Sequence, residues 1–314
     1  MSLKIAIQGI ESSFHDMAVQ KLFPNENVQL VECTSFEKVT ESLTNFDADY
    51  GVLAIENTIA GSILPNYNLI DSCNFEIIDE VFLNIQMYIM ALASETIHDI
   101  KEIYSHPVAL LQCKDYLRKF PPEFKIIEGK DTASEAKKIK DNNLKGVAAI
   151  AGKQVAEKYG LKILDSKIQN HKENQTRFVL IGKRKTIDSS YVDKATLKFD
   201  LDHRVGSLAN ILLLFNRFDI NLTKIQSLPV IGKPWQYAFF IDVLFEDYNN
   251  FEQAINELKL NGTDIKTVGV YKHNIENAPS QLNTLVLNET SMLKSVSPNE
   301  VTNGEQHVTI KNII

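Results

Sequence analysis

Ile100-Lys101-Glu102-Ile103-Tyr104-Ser105-His106-Pro107-Val108-Ala109-Leu110-Leu111-Gln112-Cys113 passes from one structural period to another. Residues 100–104 read as a short strand. Residues 108–119 read as a helix, with Pro107 in the first turn, where its missing N–H costs nothing. Ser105 and His106 then stand at the junction, at the positive end of the helix. The same alternation continues outward. Upstream, strands over 4–8, 28–31 and 50–55 alternate with helices over 14–23 and 64–72 and a helix that Ser35 caps with Phe36, Val39 and Leu43 on one face; 75–93 is mostly extended. Downstream, strands over 124–127, 147–150 and 176–181 alternate with helices over 132–140 and up to Tyr159, where Gly160 stops the chain. An α/β fold follows, with parallel sheets covered by helices and ligands at the carboxyl ends of strands.

After this part the chain changes character. Residues 184–194 are polar and charged and read as a linker. Leu197, Phe199 and Leu201 alternate as a strand. Leu208, Ile211, Leu212, Phe215 and Phe218 keep helical spacing. Strands over 220–227 and 239–245, a helix carrying Phe251, Ala254, Ile255 and Leu258, and a strand over 265–271 complete the order βαββαβ, the ferredoxin-like unit. From 274 to 314 the chain is rich in Asn, Ser, Thr and Glu with short apolar pieces, which predicts a disordered tail.

Composition narrows the function. The 314 residues suit about two domains. The net charge of -7 argues against nucleic acid as partner, because phosphate binding wants a basic face. No apolar run reaches the roughly 20 residues of a spanning helix, and the N-terminus shows no secretory pattern, so no membrane partner is expected and a cytoplasmic protein is the default. Cys33, Cys73 and Cys113 are odd in number and far apart, which suits reduced thiols. The seven histidines include no pair at ligand spacing, so no metal site is expected. Arginine is scarce, and Arg177 is one of five; each could grip a carboxylate with two hydrogen bonds where lysine offers a point charge.

Four segments at strand junctions could carry chemistry: Gln8 to Phe14, with Ser13; Ile55-Glu56-Asn57-Thr58-Ile59-Ala60-Gly61-Ser62; Ser105 to Cys113; and Asn174-Gln175-Thr176-Arg177-Phe178. They place carboxylate, amide and hydroxyl groups near free backbone N–H groups, an arrangement that receives anions. Taken singly, each reads equally well as a cap, a turn or an edge residue. Neither GxxxxGK[ST] nor GxGxxG occurs.

Together and in this order, the segments resemble the prephenate dehydratase family, with Tyr159-Gly160-Leu161 to Leu164 as a further match and an ACT regulatory domain as the βαββαβ unit. The resemblance implies a periplasmic-binding-protein-like catalytic domain over 1–183, with lobes of about 1–82 plus 168–183 and 83–167, and an ACT domain over 195–273. It implies decarboxylative dehydration of prephenate to phenylpyruvate in phenylalanine biosynthesis, with no metal, flavin or nicotinamide. By position in the motifs, Thr176, Glu56, Asn57 and Gln112 become the catalytic residues. Arg177 would hold a substrate carboxylate, with Phe178, Ser105, His106, Thr58, Gly61 and Ser13 lining the site. Our reading of the residues gives the hydrogen bond to the leaving hydroxyl to Thr176.

The departures are specific. Ser12 stands where the family has a glycine and His15 where it has serine; Gln86-Met87 and Asp131-Thr132-Ala133 differ as well. The family's allosteric Gly-Ala-Leu reads Gly206-Ser207-Leu208 here, followed by Ala209, and its Glu-Ser-Arg-Pro reads Gln226-Ser227-Leu228-Pro229. The resemblance implies L-phenylalanine as effector and ACT pairing between subunits in a homodimer or homotetramer. Arogenate dehydration and non-catalytic sensing of a small anion or amino acid are the competing readings.

Overall fold

The computed structural model describes residues 2–183, 189–201, 204–230 and 237–274. The expected tail, apart from Asn274, and residues 184–188 of the expected linker lie outside them.

The first lobe is built from β1 (Leu3–Gln8), α1 (Phe14–Leu22), β2 (Val28–Cys33), α2 (Phe36–Thr44), β3 (Tyr50–Asn57), the two-residue β4 (Gly61–Ser62), α3 (Leu64–Ser72) and β5 (Glu76–Asn84). The second follows as β6 (Tyr88–Ala91), β7 (Glu102–Ser105), α4 (Pro107–Gln112), α5 (Lys114–Leu117), β8 (Lys125–Glu128), α6 (Thr132–Asp141), β9 (Val147–Ala151), α7 (Lys153–Tyr159) and β10 (Lys162–Ser166). The chain then returns to the first lobe as β11 (Gln175–Gly182), which inserts between β5 and β3. β12 (Lys194–Asp200), α8 (Ser207–Arg217), β13 (Asn221–Pro229), β14 (Tyr237–Leu244), α9 (Tyr248–Leu260) and β15 (Asp264–Tyr271) complete the described chain.

Local chemistry sets the helix ends. Ser13 caps α1 by accepting from the Asp16 N–H at 3.3 Å, and Asp131 caps α6 by accepting from the Ser134 N–H at 2.7 Å. Gly160, at φ 62°, closes α7 in the left-handed region. The single helix expected over 108–119 is two short ones. Cys113 breaks it: its N–H is shared between Ala109 and Leu110 carbonyls, a tightening typical of a helix end.

The sheets are mixed rather than parallel. In the second lobe the order is β10-β6-β9-β7-β8; β7 runs parallel to β8 and β9, whereas β6 is antiparallel to β9 and β10. The extended stretch after α3 explains this: it supplies two strands, β5 and β6, one to each sheet, with no helix between them to reverse the direction. β10 was not anticipated; its five residues are short, half polar and at an edge.

The C-terminal strands are antiparallel in the order β13-β14-β12-β15, with α8 and α9 packed over one face. They continue the first lobe's sheet through one parallel pair, Gly269 beside Ile77. A methyl group on Gly269 would lie 2.4 Å from the Ile77 carbonyl oxygen, so the junction needs a glycine for space. Lys194, placed in the linker on composition, is the first residue of β12 and is buried.

Two cores meet the central sheet from opposite sides. Phe178 and Leu180 join Ile5, Val52, Ile103, Ile150 and Cys113 in a core that both lobes share. Val179 and Ile181 point the other way, to Leu53, Tyr67 and the C-terminal residues Leu228, Phe240 and Tyr271. The period of two along β11 therefore decides which side chains face the interlobe side and which face the C-terminal unit.

Candidate active site

Three distant segments converge on Asn57. Its Nδ2 donates to Asn174 Oδ1 at 2.7 Å, to the Gln175 carbonyl at 3.0 Å and to Thr176 Oγ1 at 3.0 Å. Its Oδ1 accepts from the N–H groups of Ile59 and Ala60, at 3.0 and 2.8 Å, and from Gln112 Nε2 at 3.1 Å. Gln112 Oε1 accepts from Asn174 Nδ2 at 2.9 Å, closing a ring of three buried amides. Asn57 ends β3, Thr176 lies opposite it on β11, and Gln112 ends α4 of the second lobe. The ring therefore spans both lobes. A fully satisfied buried network of this kind holds one geometry, because leaving any member unpaired is costly.

The network leaves one group uncommitted. Thr176 Oγ1 accepts from Asn57, and among the described residues its own proton goes to no acceptor. Thr176 is 8% exposed, and its hydroxyl is held by Asn57. A hollow of about 600 Å³ is lined by Thr58, Ile59, His171, Lys172 and Glu173, on the two segments that follow Asn57 and precede Asn174. Thr58 is fixed there: its Oγ1 accepts from the Gln175 N–H at 2.9 Å and donates to the Glu173 carbonyl at 3.3 Å. Gly61 turns the following chain at φ 82°, with open space where a β-carbon would stand.

Further expected residues line the side where the lobes face each other. Ser105 is wholly buried and donates to the Ile150 carbonyl at 2.6 Å, a structural bond. His106 caps α4 through the Val108 N–H at 3.3 Å. Ser13 caps α1 and sits close to Asp131 of the second lobe: a methyl on Gly9 would touch both, at 3.5 and 3.8 Å. Phe178 meets the His15 ring edge-on at 5.0 Å. His15 is buried, its Nε2 has no hydrogen-bond partner among the described residues, and its pKa is lowered to about 3, by burial first and then by nearby His106. Ser12 occupies φ 69°, the left-handed conformation that explains a glycine in the family's version of this turn.

Two expected residues stand elsewhere. Strand alternation sends Glu56 and Arg177, which pair with each other across β3 and β11, to the opposite face of the sheet. Glu56 is 38% exposed and bonds Lys224 of β13 at 2.8 Å. Arg177 is buried and engaged through all three nitrogens: Nε donates to Glu80 at 2.6 Å, one terminal nitrogen pairs with Asp242, and the other donates to Tyr271 Oη at 2.7 Å. This corrects the expectation that Arg177 grips a substrate carboxylate and that Glu56 works beside Asn57. Around Arg177, Lys194 bonds both oxygens of Glu80 at 2.9 Å, and Thr196 Oγ1 donates to Asp242 at 2.6 Å. Burial opposes ionisation of Glu80 and Asp242, but the cations outweigh it and hold both carboxyls below their usual range. Asn174 is the partner that residue-by-residue reading left out, although it opens the segment that holds Thr176.

A family model described as prephenate dehydratase matches residues 5–186. The chain belongs to the prephenate dehydratase family. That family consists of carbon–oxygen lyases that dehydrate prephenate on the way to phenylalanine. The chain is 34% identical over 260 residues to a bifunctional chorismate mutase/prephenate dehydratase of Buchnera aphidicola, covering 82% of this chain and 66% of the relative. It is 31% identical over 280 residues to arogenate dehydratase/prephenate dehydratase 2 of Arabidopsis thaliana, covering 86% and 72%. In fold it is similar to a prephenate dehydratase from Arthrobacter aurescens solved with L-Phe, at TM-score 0.76 and 22% identity over 93% of this chain and 100% of that one. The family match ends before β12. Among the described residues, no cluster of three His, Cys, Asp or Glu side chains is placed to hold a metal, and no helix is long and apolar enough to cross a membrane.

The residues at the expected allosteric positions lie at one end of the C-terminal unit. Gly206, at φ 86°, leads into α8 with Ser207, Leu208 and Ala209. Gln226, Ser227, Leu228 and Pro229 end β13, the edge strand. Asp200, just before the loop to Gly206, and Leu228 both pair with Ala238, so the two segments leave the same end of the sheet with β14 between them.

Proposed function

We propose that this chain converts prephenate to phenylpyruvate, with Thr176 as the group that assists departure of the ring hydroxyl. The observation that carries the reading is the Asn57 Nδ2 to Thr176 Oγ1 hydrogen bond of 3.0 Å, locked by Gln112 and Asn174. In the reaction the electron pair of the carbon–carboxylate bond enters the ring as carbon dioxide leaves. The ring expels hydroxide from the para carbon, which departs as water with one added proton, and the product is aromatic. That gain supplies the driving force, so the protein has to orient the dianion and stabilise the leaving oxygen. A hydroxyl held by a fixed amide meets the second need as a hydrogen-bond donor. Asn57 and Gln112 are positioning groups in this reading, and Glu56 is not a catalytic one. Lys172, lining the hollow with Thr58, supplies a positive charge for a carboxylate now that Arg177 is engaged elsewhere.

The βαββαβ unit reads as an ACT domain, with Gly206–Ala209 and Gln226–Pro229 as an L-phenylalanine site and pairing between subunits in a homodimer or homotetramer. The Arthrobacter relative solved with L-Phe supports looking for that effector. A cytoplasmic location suits a biosynthetic enzyme of this kind. Purified chain mixed with prephenate should generate the ultraviolet absorbance of phenylpyruvate. No signal with prephenate, but turnover of arogenate in a parallel assay, would move the substrate to the aminated compound, which the Arabidopsis relative's name gives beside prephenate. Binding of either anion without turnover would make the chain a sensor.

A further inference from the structure

The Arg177 cluster sits directly behind the reacting face. Thr176 and Arg177 are consecutive on β11, and the register between β11 and β3 shifts immediately after Arg177, where one residue of β3, Ile55, is left without a partner. The bulge bends β3 next to Asn57, the partner of Thr176, while β11 keeps its register with β5 from Gln175 to Leu180. Arg177 adds a side-chain constraint on this stretch of β11 from the other face: Glu80 of β5 at 2.6 Å, Tyr271 of β15 at 2.7 Å, and Asp242 of β14. Asp242 is itself held by Thr196 of β12 at 2.6 Å, and that hydroxyl lies 2.7 Å from Tyr271 Oη. Three strands, β5, β14 and β15, thus meet on the guanidinium of a fourth, β11, and β12 joins through Thr196. Buried ion pairs of this sort are weak sources of net stability, because desolvation offsets the attraction; their value lies in admitting one arrangement.

We infer that Asp242 and Arg177 are positioning residues for the dehydration, through which the C-terminal unit sets the orientation of the Thr176 hydroxyl. The inference rests on the reaction proposed above. It makes the C-terminal unit part of the catalytic apparatus although none of its residues reaches the amide ring.

The test is a double-mutant cycle in the full-length chain, with kcat and KM measured on prephenate and folding followed by circular dichroism and urea titration. Asp242→Asn keeps the shape and the contact with Thr196 but removes the charge facing Arg177. Misdirecting Thr176 by a fraction of an ångström should lower kcat about 10-fold while KM moves less than about twofold. In a Thr176→Ala background the same substitution should change kcat by less than about twofold, because nothing remains to be aimed. Asp242→Glu should recover part of the loss. Equal losses in both backgrounds, or an unchanged kcat in Asp242→Asn, would overturn the inference. If Asp242→Asn does not fold, Tyr271→Phe, which removes one hydrogen bond to Arg177, decides by the same cycle. An original chain inactive on prephenate sinks the functional reading itself; an active one with additive losses sinks only the positioning role.

Discussion

Thr176 and Arg177 are neighbours in the chain and stand on opposite faces of β11, one bonded to Asn57 and the other to Glu80, Tyr271 and Asp242. The hydroxyl faces the lobes and the guanidinium faces the C-terminal unit. A motif that reads as one pair of functional residues is two devices back to back.

Thr176→Ala should lower kcat on prephenate by roughly 10²–10³-fold, the range of one lost hydrogen-bond donor to a charge that develops in the transition state, with a small change in KM. Thr176→Ser, which keeps the hydroxyl, should retain most of the turnover. Steady-state kinetics on both variants checks this, and near-normal kcat in the folded alanine variant refutes it.

Gln112→Leu should both slow the reaction and destabilise the fold. It leaves Asn174 Nδ2 without the acceptor now at 2.9 Å, inside a buried ring. An unsatisfied buried polar group costs about 1–3 kcal/mol, so the urea midpoint should fall accordingly. A variant as stable as the original would mean that water or a rearranged amide replaces the bond.

Acid should weaken the protein in two stages. His15 has a folded pKa of about 3 against 6.5 unfolded, so the unfolded chain binds the proton more readily. Stability is complete above pH 6.5 and declines as pH falls toward 3, by about 2 kcal/mol between pH 7 and 5. Glu80 and Asp242 have depressed values, so their contribution is complete above the ordinary carboxylate range and fades only below about pH 4. His15→Phe should therefore flatten the loss between pH 7 and 5 and leave the steeper loss at lower pH. Urea titrations at pH 7, 5 and 3.5 separate the two stages.

Ser12→Gly should stabilise the turn after β1 by about 0.5–1 kcal/mol. The serine sits at φ 69°, where a β-carbon is crowded and glycine is at ease. Its N–H, 2.6 Å from Asp16, is kept by either residue. A lower unfolding midpoint would show that the serine side chain contributes more than its backbone conformation costs.

Gly269→Ala should cost about 1–3 kcal/mol by forcing β15 from β5, since the added carbon would lie 2.4 Å from the Ile77 carbonyl oxygen. Faster cleavage by a protease between residues 183 and 194, at unchanged secondary structure content, would report the loosened junction.

Much of the architecture was legible because periods of two and near four recur along the chain. Val147–Ala151 is apolar throughout and is buried throughout, and Ser13, Ser35 and Asp131 each cap the helix that follows. The amide ring was partly legible: Asn57, Gln112 and Thr176 stand out at strand or helix ends. What the one-dimensional reading could not supply was side. Glu56 and Arg177 belong to the same short segments as Asn57 and Thr176, and only the pleat shows that they face away. Charge also misled at Lys194, where a lysine next to polar residues reads as linker but is buried because Glu80 lies opposite it in space. Strand direction in the second lobe was hidden because it depends on which neighbours pair, not on local composition.

The late return of β11 orders the birth of the protein. β3 and β5 cannot be joined until the chain has been made through Gly182, so the lobe that begins the sequence is completed after the one nested inside it. During synthesis, two apolar strand edges wait with open backbone groups, a state that invites pairing with the wrong chain. Ribosome-bound chains ending near residue 170 should bind chaperones more strongly than chains that extend past 190.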